Sequence, residues 1–300
     1  MEHSSIAVLS TGAMGSAIAR ALLKRGHSVV VWNRTASKAQ ALCAYGAVQA
    51  ESVEQAVSRC DVIIAVPNPY DALHEHLLTP RILPRLRGKR IVLLSSYQSL
   101  EQPQALQALI NSAGASFVDG KIFCYPSQIG GEDTVLAFSG SSAAFELLTP
   151  LLTSLGRPLW LGERIELAFI YECAMTSLFV AMVGNVMNGA ALMQQVNIPT
   201  HAYELGLNAL LGNLRGYLNK VTSQMLPTRN FDTAEHGTAS TAGILQVMQH
   251  FDATFEAFGV EPQLSRGVTP FMQALVDRGE GKLDLAALIN VFADQHHQPG

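Results

Sequence analysis

Three groups of residues in this 300-residue chain combine type and spacing in ways that have chemical consequences. The first is Ser10-Thr11-Gly12-Ala13-Met14-Gly15, set between the apolar run Ile6 to Leu9 and the helical pattern Ser16-Ala17-Ile18-Ala19-Arg20. A strand, a glycine turn and a helix in that order form a nucleotide-binding turn. Gly12 lets the backbone approach a diphosphate, Gly15 allows close packing of helix on strand, and the helix start offers free N–H groups and a positive dipole end. Ser10 replaces the first glycine of the usual fingerprint. Thr11, Gly12, Ala13 and Met14 are therefore the candidate phosphate-binding residues.

The second group is Asn33-Arg34-Thr35 with Lys38, directly after the apolar run Val29 to Val31. An enzyme selective for NAD places an acid here to bind the ribose hydroxyls. This chain offers a guanidinium fork, a hydroxyl and an ammonium, which suit a 2′-phosphate. The expected cofactor is NADPH. A solvated basic turn opening a helix is the alternative.

The third group lies on a long apolar segment, where Glu172 is the only charged residue between Leu167 and Met193. A lone carboxyl in apolar surroundings holds its proton more tightly than one in water, and such a group can donate a proton or pair with a developing cation. Exposure to water, or pairing with Arg164 of another subunit, is the competing role.

Positioning these groups requires a particular order of elements. Short β-branched runs at Ile6 to Leu9, Val29 to Val31, Val62 to Val66, Ile91 to Leu94 and Phe117 to Val118 alternate with helical patterns. Alternation of this kind gives a doubly wound parallel sheet. Two strands run into Val66-Pro67-Asn68 and Leu94-Ser95-Ser96, so these residues reach the carboxyl edge, where ligands bind. Ser95 and Ser96 would contact a ribose or carboxamide, or cap the next helix. Thr134 to Ser139 adds a late strand.

After Gly162 no strand-like run returns. The spacing predicts one continuous helix from Ile165 to Gln195, roughly 45 Å long. Its Asn185, Asn188 and two glycines favour a buried helix over a membrane span. Two apolar stripes follow, Leu207 to Val221 and Ile244 to Phe258, each expected to be core. The expected domains are 1–162 (Rossmann), 163–195 (interdomain helix) and 196–300 (all-α), with the tail 295–300 disordered.

Composition narrows the function. Apolar residues make up 48% of the chain and charged residues 15%, an apolar excess that calls for burial against a second subunit. A net charge of -4 without a basic cluster excludes nucleic acid as partner. The four cysteines, Cys43, Cys60, Cys124 and Cys173, show no CxxC spacing, and the nine histidines show no HExxH. Free thiols, no expected metal and a cytoplasmic location follow. The N-terminus reads as a first strand rather than a leader.

STGAMG, VVVWNRT with Lys38, and Gly120-Lys121-Ile122-Phe123-Cys124-Tyr125-Pro126-Ser127-Gln128-Ile129-Gly130 resemble the imine reductases and reductive aminases, 6-phosphogluconate dehydrogenase-like members of the β-hydroxyacid dehydrogenase superfamily. The resemblance implies a domain-swapped homodimer with each active site between a Rossmann domain and the partner's helical domain. It implies NADPH-dependent reduction of C=N bonds, with an imine, or a carbonyl plus an amine, as substrate. Relatives that oxidise hydroxyacids carry a lysine on the long helix; imine reductases replace it, usually by Asp or Tyr. Glu172 stands at that position, with Tyr171 one residue off as the alternative proton donor. The same resemblance implies a substrate pocket of Ser96, Ile122, Phe123, Met175, Phe179 and Val180, with residues near Ile244 supplied by the partner chain. Val180 and Ile244 stand where some reductive aminases carry an aromatic and a glutamine. Lys121 stands where the family usually has glycine; it would salt-bridge Asp119 or reach substrate, and no role is assigned to it. The rival activities are oxidation or reduction of a hydroxyacid or carbonyl, and non-catalytic NADP binding.

Bidentate bonds to a 2′-phosphate have no counterpart in NADH, so Arg34→Ala is expected to narrow the preference for NADPH. Steady-state kcat/KM for the two cofactors measures this, and an unchanged ratio would refute the assignment.

Overall fold

The structure is a computed structural model that describes residues 5–67 and 75–294. Asn68 and the tail 295–300 lie outside the described residues.

Eight strands among the described residues form one sheet in the order β3-β2-β1-β4-β5-β6-β7-β8. They are β1 (Ile6–Leu9), β2 (Val29–Trp32), β3 (Val48–Gln49), β4 (Val62–Ala65), β5 (Arg90–Leu94), β6 (Ser116–Ile122), β7 (Val135–Gly140) and β8 (Arg157–Gly162). The four residues of β1 and of β4 are all buried, as expected for parallel strands covered on both faces. Alternation divides them between two cores. Ala7, Leu9, Ile63 and Ala65 face one, and Ile6, Val8, Val62 and Ile64 the other. Helices α1 (Ala13–Lys24), α2 (Ala36–Gln40), α3 (Val53–Arg59), α4 (Glu101–Ser112) and α5 (Ser142–Leu152) complete this unit.

The sheet departs from the expected one in two respects. It is not wholly parallel: β7 runs antiparallel to β6, and β8 then pairs with β7 in parallel. The two strands without an expected counterpart, β3 and β8, also have a cause. β3 is two residues long, and β8 is half-exposed with the sequence RPLWLG, which lacks a β-branched run.

The chain reverses its direction of travel across the sheet between β1 and β4, which places a crevice at their carboxyl ends. Ser10 follows β1 with φ of 74°, a left-handed value in the place where the fingerprint has glycine. Gly15 is required by contact. A Cβ there would lie 2.1 Å from the Ser10 carbonyl oxygen, a backbone atom that cannot step aside.

Helix α6 (Leu167–Gln195) is continuous over 29 residues, and the chain's two compact units divide within it, between Thr176 and Ser177. Its start is fixed to the sheet. Ser139, fully buried on β7, donates its hydroxyl to the Ile165 carbonyl at 2.7 Å and accepts from the Ala168 amide at 3.1 Å. Phe169 adds an edge-to-face contact with Tyr97, centroids 5.6 Å apart.

The second unit is helical, with α7 (Thr200–Lys220), α8 (Thr241–Ala257), α9 (Thr269–Asp277) and α10 (Leu288–Asp294) joined by segments that include the π-helix Val221–Met225 and shorter helical turns. A small core of Val221, Met225, Phe231, Leu245, Met272, Leu275, Ala287, Leu288 and Val291 holds it. The expected core stripes are corrected here. Of the first stripe only Val221 is buried, while Leu210, Leu211 and Leu218 are exposed; Phe251 and Phe258 of the second are exposed as well. The expectation that α6 is buried is corrected too, since Ala168 is its only buried residue. By length and composition alone α6 could cross a membrane, its apolar window having a mean hydropathy of 1.7. The physical reason for both corrections is the same: too little of one chain lies over these faces to cover them.

Candidate active site

A cavity of about 500 Å³ opens at the carboxyl edge of β1, β4, β5 and β6, within the first unit. The first turn of α1 forms one wall. Gly12 caps this helix without any side-chain hydrogen bond, and no acidic residue occupies its first turn. The first bond inward is from the Ser16 amide to the Gly12 carbonyl, which leaves the amides of Ala13, Met14 and Gly15 without intrahelical partners. Thr11 Oγ1 beside them is buried and has no partner. Open amides, a helix dipole and a turn in which a Cβ at position 15 is excluded fit the diphosphate of a dinucleotide.

The structure brings together many of the residues expected at the site. Gly12, Ala13, Met14, Val66, Pro67, Ser95, Ser96, Ile122 and Glu172 all line this cavity. Thr11 and Asn33 form a layer behind it. Asn33 Oδ1 accepts from the Thr11 amide at 2.9 Å, and its Nδ2 donates to the Thr35 carbonyl at 3.1 Å, tying the turn after β1 to the turn after β2. Arg34, Thr35 and Lys38 are exposed on that second turn. Neither serine caps α4, whose N-cap is Leu100. Ser95 Oγ donates to the Pro67 carbonyl at 3.2 Å, joining the ends of β4 and β5.

Of the expected substrate pocket, Ser96 and Ile122 line this cavity, while Phe123 and Met175 of the same unit do not. Phe123 turns edge-on to Tyr171, centroids 5.4 Å apart. Phe179 and Val180 are exposed on α6, and Ile244 packs against the helical core of its own chain. Tyr171 does not line the cavity either, whereas Glu172 does. A one-residue step on a helix turns a side chain by about 100°, which separates these neighbours.

Glu172 is held at one oxygen and free at the other. Ser96 Oγ donates to Oε1 at 2.5 Å, while Oε2 is buried without a hydrogen-bond partner. Within the chain Arg164 pairs with Glu166 at 2.7 Å. A buried carboxylate oxygen without a partner is an acceptor prepared for a proton or a cation brought in by a bound molecule.

At the floor of the cavity, with Lys121 among its lining residues, the salt bridge given as one alternative for Lys121 and Asp119 is present, and Tyr97 joins it. Asp119 and Lys121 stand two residues apart on β6, hence on one face, and both are buried. Lys121 Nζ donates to Asp119 Oδ1 at 2.9 Å and to the Ser95 carbonyl, and lies 4.2 Å from the centroid of the Tyr97 ring. The Tyr97 hydroxyl donates to the same Asp119 oxygen at 2.8 Å. Asp119 Oδ2 has no partner. Burial pushes the Asp119 carboxyl up to about 6, against the opposing pull of Lys121 and Tyr97 and with the Glu172 charge adding to the rise. Ser10, Gly15, Leu94, Gly120 and Pro126 also line the cavity, and the sequence reading gave none of them a place among its ligand-binding residues.

The fold and this cavity define a dinucleotide-binding domain of the Rossmann class. The chain belongs to the family described as the NAD binding domain of 6-phosphogluconate dehydrogenase, whose model matches residues 5–173. It is 29% identical over 298 residues to an NADPH-dependent reductive aminase of Aspergillus oryzae, covering 96% of each chain. Among solved structures it is similar to the imine reductase of Myxococcus stipitatus in complex with NADP+. The TM-score is 0.86 at 26% identity, over 95% of this chain and 99% of that one. It is also similar to the reductive aminase of Aspergillus terreus in complex with NADPH and ethyl levulinate. There the TM-score is 0.85 at 25% identity, over 96% and 99% of the two chains.

The raised Asp119 carboxyl makes a signed prediction. With its folded value near 6 and its reference value of 3.8, the folded state holds more protons than the unfolded state between these limits. Stability from this group is therefore greatest at the acid end and is lost as pH rises through that window. Urea unfolding from pH 4 to 7 of the parent and Asp119→Asn should show the parent losing stability relative to the variant over that interval. A constant difference would refute the shift.

Proposed function

We propose that this chain is an NADPH-dependent imine reductase that reduces C=N bonds of cyclic imines or iminium ions to amines, and that it also acts on a carbonyl together with an amine. The observation that carries this reading is Glu172: a carboxylate at the cavity with one oxygen fixed by Ser96 and the other buried and unpartnered. The relatives named for imine reduction and reductive amination support it. NADPH, when bound, supplies the hydride that reaches the imine carbon. Ala13, Met14 and Gly15 amides would hold its diphosphate, and Arg34, Thr35 and Lys38 its 2′-phosphate.

The protein's part in the chemistry is to manage charge at nitrogen. Glu172 Oε2 either pairs, as a carboxylate, with a cationic iminium nitrogen that hydride alone converts to the amine, or, as the protonated acid, gives its proton to a neutral imine nitrogen so that proton and hydride together make the amine. Ser96 keeps the carboxyl in one rotamer by occupying Oε1. Pro67, Leu94 and Ile122 keep apolar surface around the reacting atoms, which strengthens the interaction of carboxylate and cation. Oxidation of a hydroxyacid is disfavoured. The helix carries no lysine in its first two turns, and the one buried ammonium at the cavity, Lys121, is already engaged by Asp119 and the Ser95 carbonyl.

We assign residues 1–162, 163–195 and 196–300 to a cofactor domain, a connecting helix and a dimerisation domain. The active unit is a homodimer in which the partner's helical region closes the site. Its support is the exposed apolar surface of α6 and α7, including Phe179, Val180, Met187, Leu205 and Leu210. Four free thiols support a reducing compartment, the cytoplasm.

Glu172→Gln keeps shape and most hydrogen bonding but cannot ionise. Turnover of a cyclic imine should fall by at least ~10²-fold with NADPH affinity nearly unchanged. A glutamine variant with near-parental turnover would show that Glu172 is structural and return Tyr171 as the proton source. Light scattering should give about twice 32.2 kDa, and a stable active monomer would overturn the shared site.

A further inference from the structure

Lys121 lines the floor of the cavity although it is almost wholly buried. It is 2% exposed and lies on β6 next to Gly120, whose own Cβ position is filled by Phe138 and Leu94. Its ammonium has three N–H groups and three directions of engagement: Asp119 Oδ1, the Ser95 carbonyl oxygen and the face of the Tyr97 ring. None is left over for a ligand. Asp119 is in turn fixed by the Tyr97 hydroxyl, and Tyr97 by Phe169 on α6.

The Ser95 carbonyl belongs to the peptide that links Ser95 to Ser96, and Ser96 is the residue bonded to Glu172. The Ser95 hydroxyl, bonded to the Pro67 carbonyl, holds the same residue through its side chain. Ser96 is itself exposed, and the chain leaves regular β5 at Leu94. A charge-assisted hydrogen bond from a buried ammonium is among the stronger restraints a protein can place on a carbonyl.

We propose that Lys121 is a positioning residue for the proposed imine reduction: held by Asp119 and Tyr97, it fixes the Ser95–Ser96 peptide and through it the Ser96 hydroxyl that orients Glu172. This inference rests on the reading of Glu172 as the group that meets the substrate nitrogen. Lys121 touches neither substrate nor reacting atoms in this role. Its substitution changes the rate through Ser96 and Glu172, and only through them.

Two variants keep the test independent of folding. Lys121→Met alone leaves Asp119 as an uncompensated buried charge, so the paired variant Asp119→Asn with Lys121→Met is measured beside it; removing both charges of a buried pair is far better tolerated than removing one. In the parent background the paired variant should lower kcat for a cyclic imine by ~10- to ~10²-fold, the scale of a misplaced catalytic group, while KM for NADPH changes less than about threefold. In a Ser96→Ala background the same pair of substitutions should change kcat by less than about twofold, because the route of its action is already cut. Equal losses in both backgrounds would overturn the proposal, as would failure of both variants to fold, which would make Lys121 a core residue.

A second readout does not depend on turnover. In protein labelled with carboxyl-13C glutamate, the Glu172 resonance, identified by its loss in Glu172→Gln, should move in the paired variant toward its position in Ser96→Ala. A resonance unmoved from the parental position refutes the positioning role. A parent enzyme that reduces no C=N substrate refutes the proposed activity instead, and the resonance still decides the role of Lys121.

Discussion

The site depends on how the long helix leaves the sheet. Glu172 is not on the edge of the sheet with the other cavity residues; it arrives there on α6, five residues after the helix begins. A small error in the direction of that first turn would swing the carboxyl away from Ser96. Ser139 prevents this by acting as donor and acceptor at once, to Ile165 and Ala168, from a fully buried position on β7. Gly140 next to it has φ of 118°, and a Cβ there would lie 2.7 Å from the Phe117 carbonyl oxygen. The backbone at this corner therefore has one arrangement open to it. An enzyme-like site made from one strand edge and one separate helix needs such a corner, because hydrogen bonds within each element say nothing about their mutual direction.

The glycine turn beside the cavity was legible in the sequence because its requirements are local. A turn, two glycines and a helix start within six residues announce themselves through spacing, and the structure places Gly12, Ala13 and Met14 on the cavity. The strands that read clearly were those buried on both faces. β8, an edge strand half open to solvent with proline and glycine in it, gave no such pattern. The apolar stripes of the helical unit were visible as stripes, but periodicity tells only that a face is apolar. It does not tell whether the same chain covers that face, and Leu210 and Phe251 are left exposed by their own chain.

The charged layer below the cavity shows a different limit. Asp119 and Lys121 were each visible, and their pairing was one of two open alternatives, since i and i+2 on a strand share a face. What could not be read was their depth or the third member. Tyr97 is 22 residues away from Asp119 in sequence, and only the adjacency of β5 and β6 brings it there. A charged pair within a strand whose neighbours are apolar was the available signal, because such groups persist in a core only when their hydrogen bonds are met. The substrate side was least legible for the same reason. Phe123 and Met175 were placed by resemblance, and their directions are set by packing with Tyr171 and along α6 that no local rule specifies.

Ser10 carries a consequence for anyone who would harden this protein. It holds a left-handed backbone angle at a cost of about 1–2 kcal/mol, and it does so on the wall of the cavity. A glycine would relieve that cost at once and would also match the fingerprint, so a stabilisation campaign guided by statistics would select it early. The same exchange deletes a hydroxyl and a methylene from the cavity wall beside Gly12. Heat tolerance and a well-shaped pocket pull in opposite directions at this residue, and ranking variants by melting temperature alone would quietly trade away the second for the first.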